Sequence, residues 1–380
     1  GSLSATVTVR KGEAIFPRID MEKALADGAC GVSLGLGYAP EIFYSTDGLI
    51  RALAPLYQSG VPICVHMRQE GDGVVDALRE MIEVARALQT PLEVSHLKAI
   101  GGRNARKAVP EMLSLIARAR EEGLDVMCDA YPYTAGSTQL IHVLPPEFQA
   151  GGTETLTKRL RDRAAREEMR ARMETGSDFE NITLLVGFEN VIAIGLRTDE
   201  YRRFEGKSIA EIALALGKDP YDALFDLLAT EKCEAGMIDY ISDKEDLTAI
   251  LRAPFSGVIS DATYPGAGQV HPRVYGAFAR LIETYVVRER VLTLEQAVHK
   301  VTLKAAERFS LAGKGKIEVG ADADLLLFAP EKIRERGTYL TPKACASGFD
   351  EVFVLGERVI ENGEYRGGSS GEMLGLRMEY

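Results

Sequence analysis

The sequence predicts an α/β fold, a TIM-type (β/α) barrel followed by a small β unit, and three observations carry that prediction. Two apolar runs, Pro62-Ile63-Cys64-Val65-His66-Met67-Arg68 and Leu92-Glu93-Val94-Ser95-His96-Leu97-Lys98, each place a histidine at the end of a short strand. They lie one βα unit apart, so parallel pairing brings both imidazoles to the same rim of a barrel. Two further runs of this kind follow: Leu124 to Tyr133, which contains Asp129, and Phe255 to Asp261. Between the first three runs stand segments with helical periodicity, and that alternation calls for a parallel sheet with helices outside it.

The elements follow in order. Asp20 to Gly28 reads as a short helix closed by glycine, and Gly31 to Leu36 as a buried strand. Thr46-Asp47 opens a helix carrying Leu49, Leu53 and Leu56, which ends at Gly60 before the strand of His66. Asp72 to Leu88 has an apolar stripe of Val75, Leu78, Met81, Ile82 and Val84, the pattern of a helix packed by one face. Ala108 to Gly123 repeats it ahead of the third strand. Residues 145 to 180, rich in Arg and Glu, break the rhythm and read as a helical excursion from the barrel. Alternation is expected to resume with Ile182 to Val186 as a strand, then helices over Ser208 to Leu216 and Pro220 to Thr230, then the strand ending in Asp261. After a helix from Leu294 to Phe309, Gly315 to Phe328 turns to short strands. Glu351 to Gly363 reads as a hairpin turning at Gly356-Glu357. The expected division is a barrel over 3–312 and a small β domain, half of a β-sandwich, with its tail over 313–380.

Composition excludes several classes. With 380 residues, 46% hydrophobic, the chain can bury a large core. A net charge of -11 at pH 7 offers no basic surface, so nucleic acid is not an expected partner. No run is long and apolar enough for a membrane span. The five cysteines are odd in number and widely spaced, and Cys30, Cys64 and Cys128 lie in or beside strand runs. Reduced thiols and a cytoplasmic location are the expectation.

Six segments in order, His66-Met67-Arg68 with Glu70-Gly71-Asp72, Ser95-His96-Leu97-Lys98, Tyr131-Pro132-Tyr133-Thr134-Ala135-Gly136-Ser137, Ser260-Asp261, His271-Pro272-Arg273-Val274-Tyr275-Gly276 and Gly320-Ala321-Asp322-Ala323-Asp324-Leu325, resemble the N-acyl-D-amino-acid deacylases (D-aminoacylases) of the metal-dependent amidohydrolase superfamily. The resemblance runs over nearly the whole chain. It implies hydrolysis of the amide of an N-acyl-D-amino acid, with zinc, one or two divalent ions, as cofactor. The superfamily's opening His-x-His is not in this sequence, and the family's bridging cysteine has no matching context here. Leu3 to Val9 resembles the family's third strand, so a six-stranded barrel, incomplete at the N-terminus, and weak zinc binding with little activity are expected.

Under that resemblance His66 and His96 are the metal ligands and Asp261 the general base and acid of the reaction. Lys98, Tyr133 and Ser137 are expected to hold the scissile carbonyl or the substrate carboxylate, with Arg68 and Arg273 as a bidentate carboxylate clamp. His142 and His299 are expected to be structural or solvent-facing. Two other functions stay open: a cyclic-amide hydrolase of the dihydroorotase or hydantoinase type, and a non-catalytic chain binding a small carboxylate or a partner. For the first, the carboxylated lysine of such enzymes has no counterpart in Gly31 to Leu36. A homo-oligomer is expected if the C-terminal β unit, with Ile317, Leu325, Leu327, Val352, Val354 and Val359 as its apolar face, is covered by a second copy.

Overall fold

A computed structural model describes residues 8–10, 13–15, 18–263, 268–372 and 374. Thr8–Arg10 (β1) and Glu13–Ile15 (β2) form an antiparallel pair. The expected third barrel strand at Leu3 to Val9 is therefore corrected where it is described, because Thr8 and Val9 pair antiparallel with Ile15 and Ala14 and not with the parallel sheet; the rest of that run lies outside the described residues. Five strands build the parallel sheet: β3 (Val32–Gly35), β4 (Ile63–His66), β5 (Leu92–Val94), β6 (Val126–Ala130) and, after a long interval, the strand Ser256–Val258. Neighbours pair in register, Leu34 with Val65, Val65 with Val94, Val94 with Cys128 and Cys128 with Ser256. Among the described residues the parallel sheet has five strands where six were expected.

The helices outside it follow the expected stripes. Val74–Leu88 buries Leu78, Met81, Ile82 and Val84, and Ala108–Glu121 buries Val109, Met112 and Ile116, all in one core with Ile63, Val65, Leu92, Val94 and Val126. Burial of each such side chain stabilises the fold by about 1.5–3 kcal/mol.

The excursion is larger than the sequence indicated. Between β6 and the last parallel strand the chain forms a second, antiparallel sheet from β7 (Ala135–Gln139), β8 (Val191–Ile194) and β9 (Gly236–Tyr240), with β9 in the middle. Helices Gly152–Arg159, Arg163–Thr175, Ile209–Leu216 and Pro220–Thr230 give it a hydrophobic core of its own around Leu160, Met169, Ile212, Phe225 and Met237. The predicted strand at Ile182 to Val186 is a short helix. Asn181 caps it by accepting from the Leu184 N–H, and Gly187 ends it, so local capping overrides the strand preference of the apolar run.

The final parallel strand, Ser256–Val258, is β10. The predicted helix Leu294 to Phe309 is broken at Thr302 into Leu294–Val301 and Leu303–Arg308. Leu325–Phe328 (β11), Phe349–Val354 (β12), Glu357–Glu361 (β13) and Glu364–Tyr365 (β14) complete a four-stranded antiparallel sheet, with the β12–β13 turn at Leu355-Gly356. Its expected apolar face is only partly covered: Ile317 and Leu327 are exposed, whereas Val352, Val354 and Val359 are half-buried. No described helix is long and apolar enough to cross a membrane.

Arg308 fastens the C-terminal helices to the parallel sheet. Its buried guanidinium donates to Glu93 Oε2 at 2.8 Å, Asp125 Oδ2 at 3.0 Å and the Leu92 carbonyl at 3.1 Å. Arg308→Ala leaves Glu93 buried without its cation and is expected to cost about 3–5 kcal/mol in urea unfolding. A loss below about 1 kcal/mol would show that Glu93 finds another partner.

Candidate active site

Parallel pairing sets the two histidines side by side. His66 is the last residue of β4, and His96 follows β5 by two positions, its N–H donating to Asp129 Oδ1 on β6 at 2.5 Å. The His96 backbone is left-handed, with φ 40°. His66 Nδ1 and His96 Nε2 stand 3.1 Å apart. Glu70, four residues beyond His66, reaches back to put Oε1 3.0 Å from His96 Nδ1 and Oε2 3.9 Å from His66 Nε2. One donor atom from each of the three lies within 4.8 Å of the others, the only such cluster among the described residues. Zinc takes nitrogen and oxygen ligands of this kind, and its ~2.0–2.1 Å bonds would draw these atoms in from the 4.8 Å spread to the ~3.3 Å separation of a tetrahedral site.

The protonation states suit the same role. Burial depresses His66 to a pKa of about 3, with His96 and Lys98 adding to the effect, so its lone pair is free at neutral pH. For Glu70, burial alone would raise the pKa, but Lys98, His66 and His96 outweigh it and hold the carboxylate ionised. Lys98 Nζ donates to Glu70 Oε1 at 2.6 Å and to the His96 carbonyl at 2.9 Å.

Asp261, three residues past β10, faces the same cleft and is also left-handed, with φ 49°. Arg273, almost fully buried, places Nη1 2.8 Å from Asp261 Oδ2 and donates through Nη2 to the Ser137 carbonyl at 3.0 Å. The cleft has an empty volume of about 640 Å³, counting its open mouth, and Lys98, Ser137 and Arg273 all line it.

Two expected substrate residues are not in this cleft. Arg68 turns away: its Nε and Nη2 donate to Glu80 on helix Val74–Leu88 at 2.9 Å each, and Nη2 also to the Tyr44 carbonyl at 2.8 Å. It is a tie between loop and helix, and the proposed pairing of Arg68 with Arg273 does not form. Tyr133 Oη donates to Glu335 Oε1 at 2.6 Å, with Arg280 over its ring, so the Glu335–Arg280 pair holds it against the C-terminal segment. His142, expected to be structural or solvent-facing, lines the cleft, where Tyr38 stacks between it and His66 with centroid distances of 4.2 and 4.4 Å. His299 is exposed as expected.

Sequence reasoning gave no role to Glu70, Glu180 or Asp239, all in the cleft wall. For Glu70 a signal existed, the spacing of four from His66. Glu180 and Asp239 come from the excursion, where nothing local marks them. Glu70→Gln is expected to weaken zinc binding by at least about 10–100-fold, read by competition with a chromogenic chelator; unchanged affinity would remove Glu70 from the ligand set.

The chain is similar to known proteins over most of its length. A model described as "Amidohydrolase family" matches residues 242–345. The D-aminoacylase of Alcaligenes xylosoxydans xylosoxydans is 31% identical over 356 residues, covering 93% of this chain and 63% of that protein. A crystal structure of D-aminoacylase superposes with a TM-score of 0.76 at 30% identity, over 94% of this chain and 65% of that one. The N-acyl-D-glutamate deacylase of Bordetella bronchiseptica, solved with zinc and a phosphonate that mimics the tetrahedral intermediate, gives 0.73 at 29% identity, over 90% and 62%. The chain thus spans less than two thirds of the length of these relatives. It is a homologue of the N-acyl-D-amino-acid deacylases of the amidohydrolase superfamily.

Proposed function

We propose that this chain carries the catalytic centre of a zinc-dependent N-acyl-D-amino-acid deacylase, which hydrolyses the amide to a carboxylate and a D-amino acid. The observation that carries the proposal is the convergence of His66, Glu70 and His96 in one cleft with Asp261. His66, Glu70 and His96 would hold the ion, which when bound polarises the amide carbonyl and acidifies water. Lys98 keeps the Glu70 carboxylate charged and in place. Asp261 takes the proton of the attacking water and delivers it to the leaving nitrogen, the acid–base service that amide cleavage requires. Arg273 holds Asp261 in position through the 2.8 Å ion pair. Lys98 and Ser137, on the cleft wall, are placed to meet the carbonyl or carboxylate of an N-acyl amino acid. A cytoplasmic setting is part of the proposal and is supported by five free cysteines.

The chain is to be loaded with zinc, dialysed, analysed for metal and assayed on N-acetyl-D-amino acids. The sequence alone predicts weak zinc binding and little activity; with Glu70 as a third ligand beside His66 and His96, bound zinc and release of the D-amino acid are expected instead, with Asp261→Asn lowering kcat by about 10²–10⁴ and leaving KM nearly unchanged. Absence of bound zinc, or hydrolysis of hydantoin in preference to N-acetyl-D-amino acids, would overturn it.

A further inference from the structure

Four carboxyl groups line the cleft, and only two have a cation of their own. Glu70 is matched by Lys98 at 2.6 Å and Asp261 by Arg273 at 2.8 Å. Glu180 and Asp239 are left over. Asp239, next to last in β9, is 3% exposed, and its Oδ1 has no hydrogen-bond partner among the described residues. The same holds for Oε1 of Glu180, whose other oxygen accepts from the Glu70 N–H at 3.2 Å. A buried carboxylate with an open lone pair is costly unless something completes it. Burial lifts the Asp239 pKa to about 6 against the pull of Lys98 and Arg273, so the group is still largely an anion at neutral pH.

Gly136 on β7 faces Asp239 directly across the antiparallel pair. A Cβ at Gly136 would stand 2.8 Å from Asp239 Oδ1 and 2.7 Å from Ile241 Cδ1, so only a bare glycine leaves that oxygen room. Ile241 and Phe179 lie in the same wall and offer apolar surface on the approach. A divalent ion is a poor occupant: neither Asp239 nor Glu180 joins the His66, Glu70 and His96 cluster, and hard cations take six or more ligands. An apolar stem that ends in a positive charge satisfies both the wall and the carboxylates.

Resting on the deacylase reading above, we infer that Asp239, backed by Glu180, is a specificity-determining residue that selects N-acyl amino acids whose side chain ends in an ammonium or guanidinium group. Lys98 and Arg273 then serve the reacting groups, and Asp239, on the wall contributed by β9, meets the substrate side chain.

Calorimetric titration of the chain at neutral pH with N-acetyl-D-lysine, N-acetyl-D-norleucine and N-acetyl-D-glutamate tests this, because norleucine keeps the stem and lacks the charge. The lysine compound is expected to bind at least about 10-fold more tightly than the norleucine compound, and the glutamate compound most weakly. In Asp239→Asn the advantage of lysine should fall to within about 3-fold while norleucine binding holds. Gly136→Ala, which crowds Oδ1, should reduce the lysine advantage in the same direction. Norleucine or glutamate binding as tightly as lysine to the unaltered chain would overturn the inference and leave the deacylase reading intact. So would a lysine preference that survives Asp239→Asn. Failure of all three compounds to bind would sink both.

Discussion

Everything at the rim of the parallel sheet depends on the buried ion pair between Lys98 and Glu70. Neither charge is tolerable there alone, since an unmatched buried ion costs several kcal/mol. Together they fix two loops. The Lys98 ammonium ties the loop after β5 to its own turn through the His96 carbonyl, and the Glu70 carbonyl accepts from the Ile100 N–H at 2.7 Å, which closes the loop after β4 onto the loop after β5. The pair also sets the electrostatics, because the Lys98 charge holds Glu70 as an anion while burial and neighbouring positive charge keep His66 neutral. One anionic oxygen and two imidazoles are what a borderline metal ion prefers.

The backbone bears some of the cost of this arrangement. His96 and Asp261 both occupy the left-handed region, which is unfavourable for residues with a Cβ by about 1–3 kcal/mol each. The surrounding contacts hold them there. Asp129 receives the His96 N–H on its carboxylate and the Leu97 N–H on its carbonyl, so β6 specifies the turn after β5. Arg273 does the same for Asp261 from a helix start that His271 secures: its Nδ1 accepts from the Arg273 N–H at 3.0 Å, and its Nε2 lies 3.0 Å from the Ala135 carbonyl.

The sequence made the parallel sheet readable because its signals are local. Continuous apolar runs, helical stripes and glycine stops recur at one βα interval, and the histidines stand where those runs end. Arg68 shows the limit of such reading. Its position two residues past His66 suggested a rim cation, yet Glu80, on the helix that follows, was the stronger partner, and no local pattern reports which way a loop side chain turns. Ile182 to Val186 failed for another reason, since a cap and a terminating glycine decided a five-residue segment whose apolar character fitted either state. The antiparallel sheet was hidden because β7 contains Gly136 and β9 carries a buried aspartate, both contrary to the usual strand composition. Asp239 and Glu180 could not be assigned from sequence while the sheet and loop that carry them were unseen.

The cleft is lined from two separate hydrophobic cores, one around the parallel sheet and one around β7, β8 and β9. Mutations that repack the second core shift the wall bearing Asp239 without passing through the side chains that anchor His66 and His96. Natural variation in that half can therefore revise what the cleft accepts, within the limit that the Ser137 carbonyl on β7 also holds Arg273 and Glu180 also receives the Glu70 N–H.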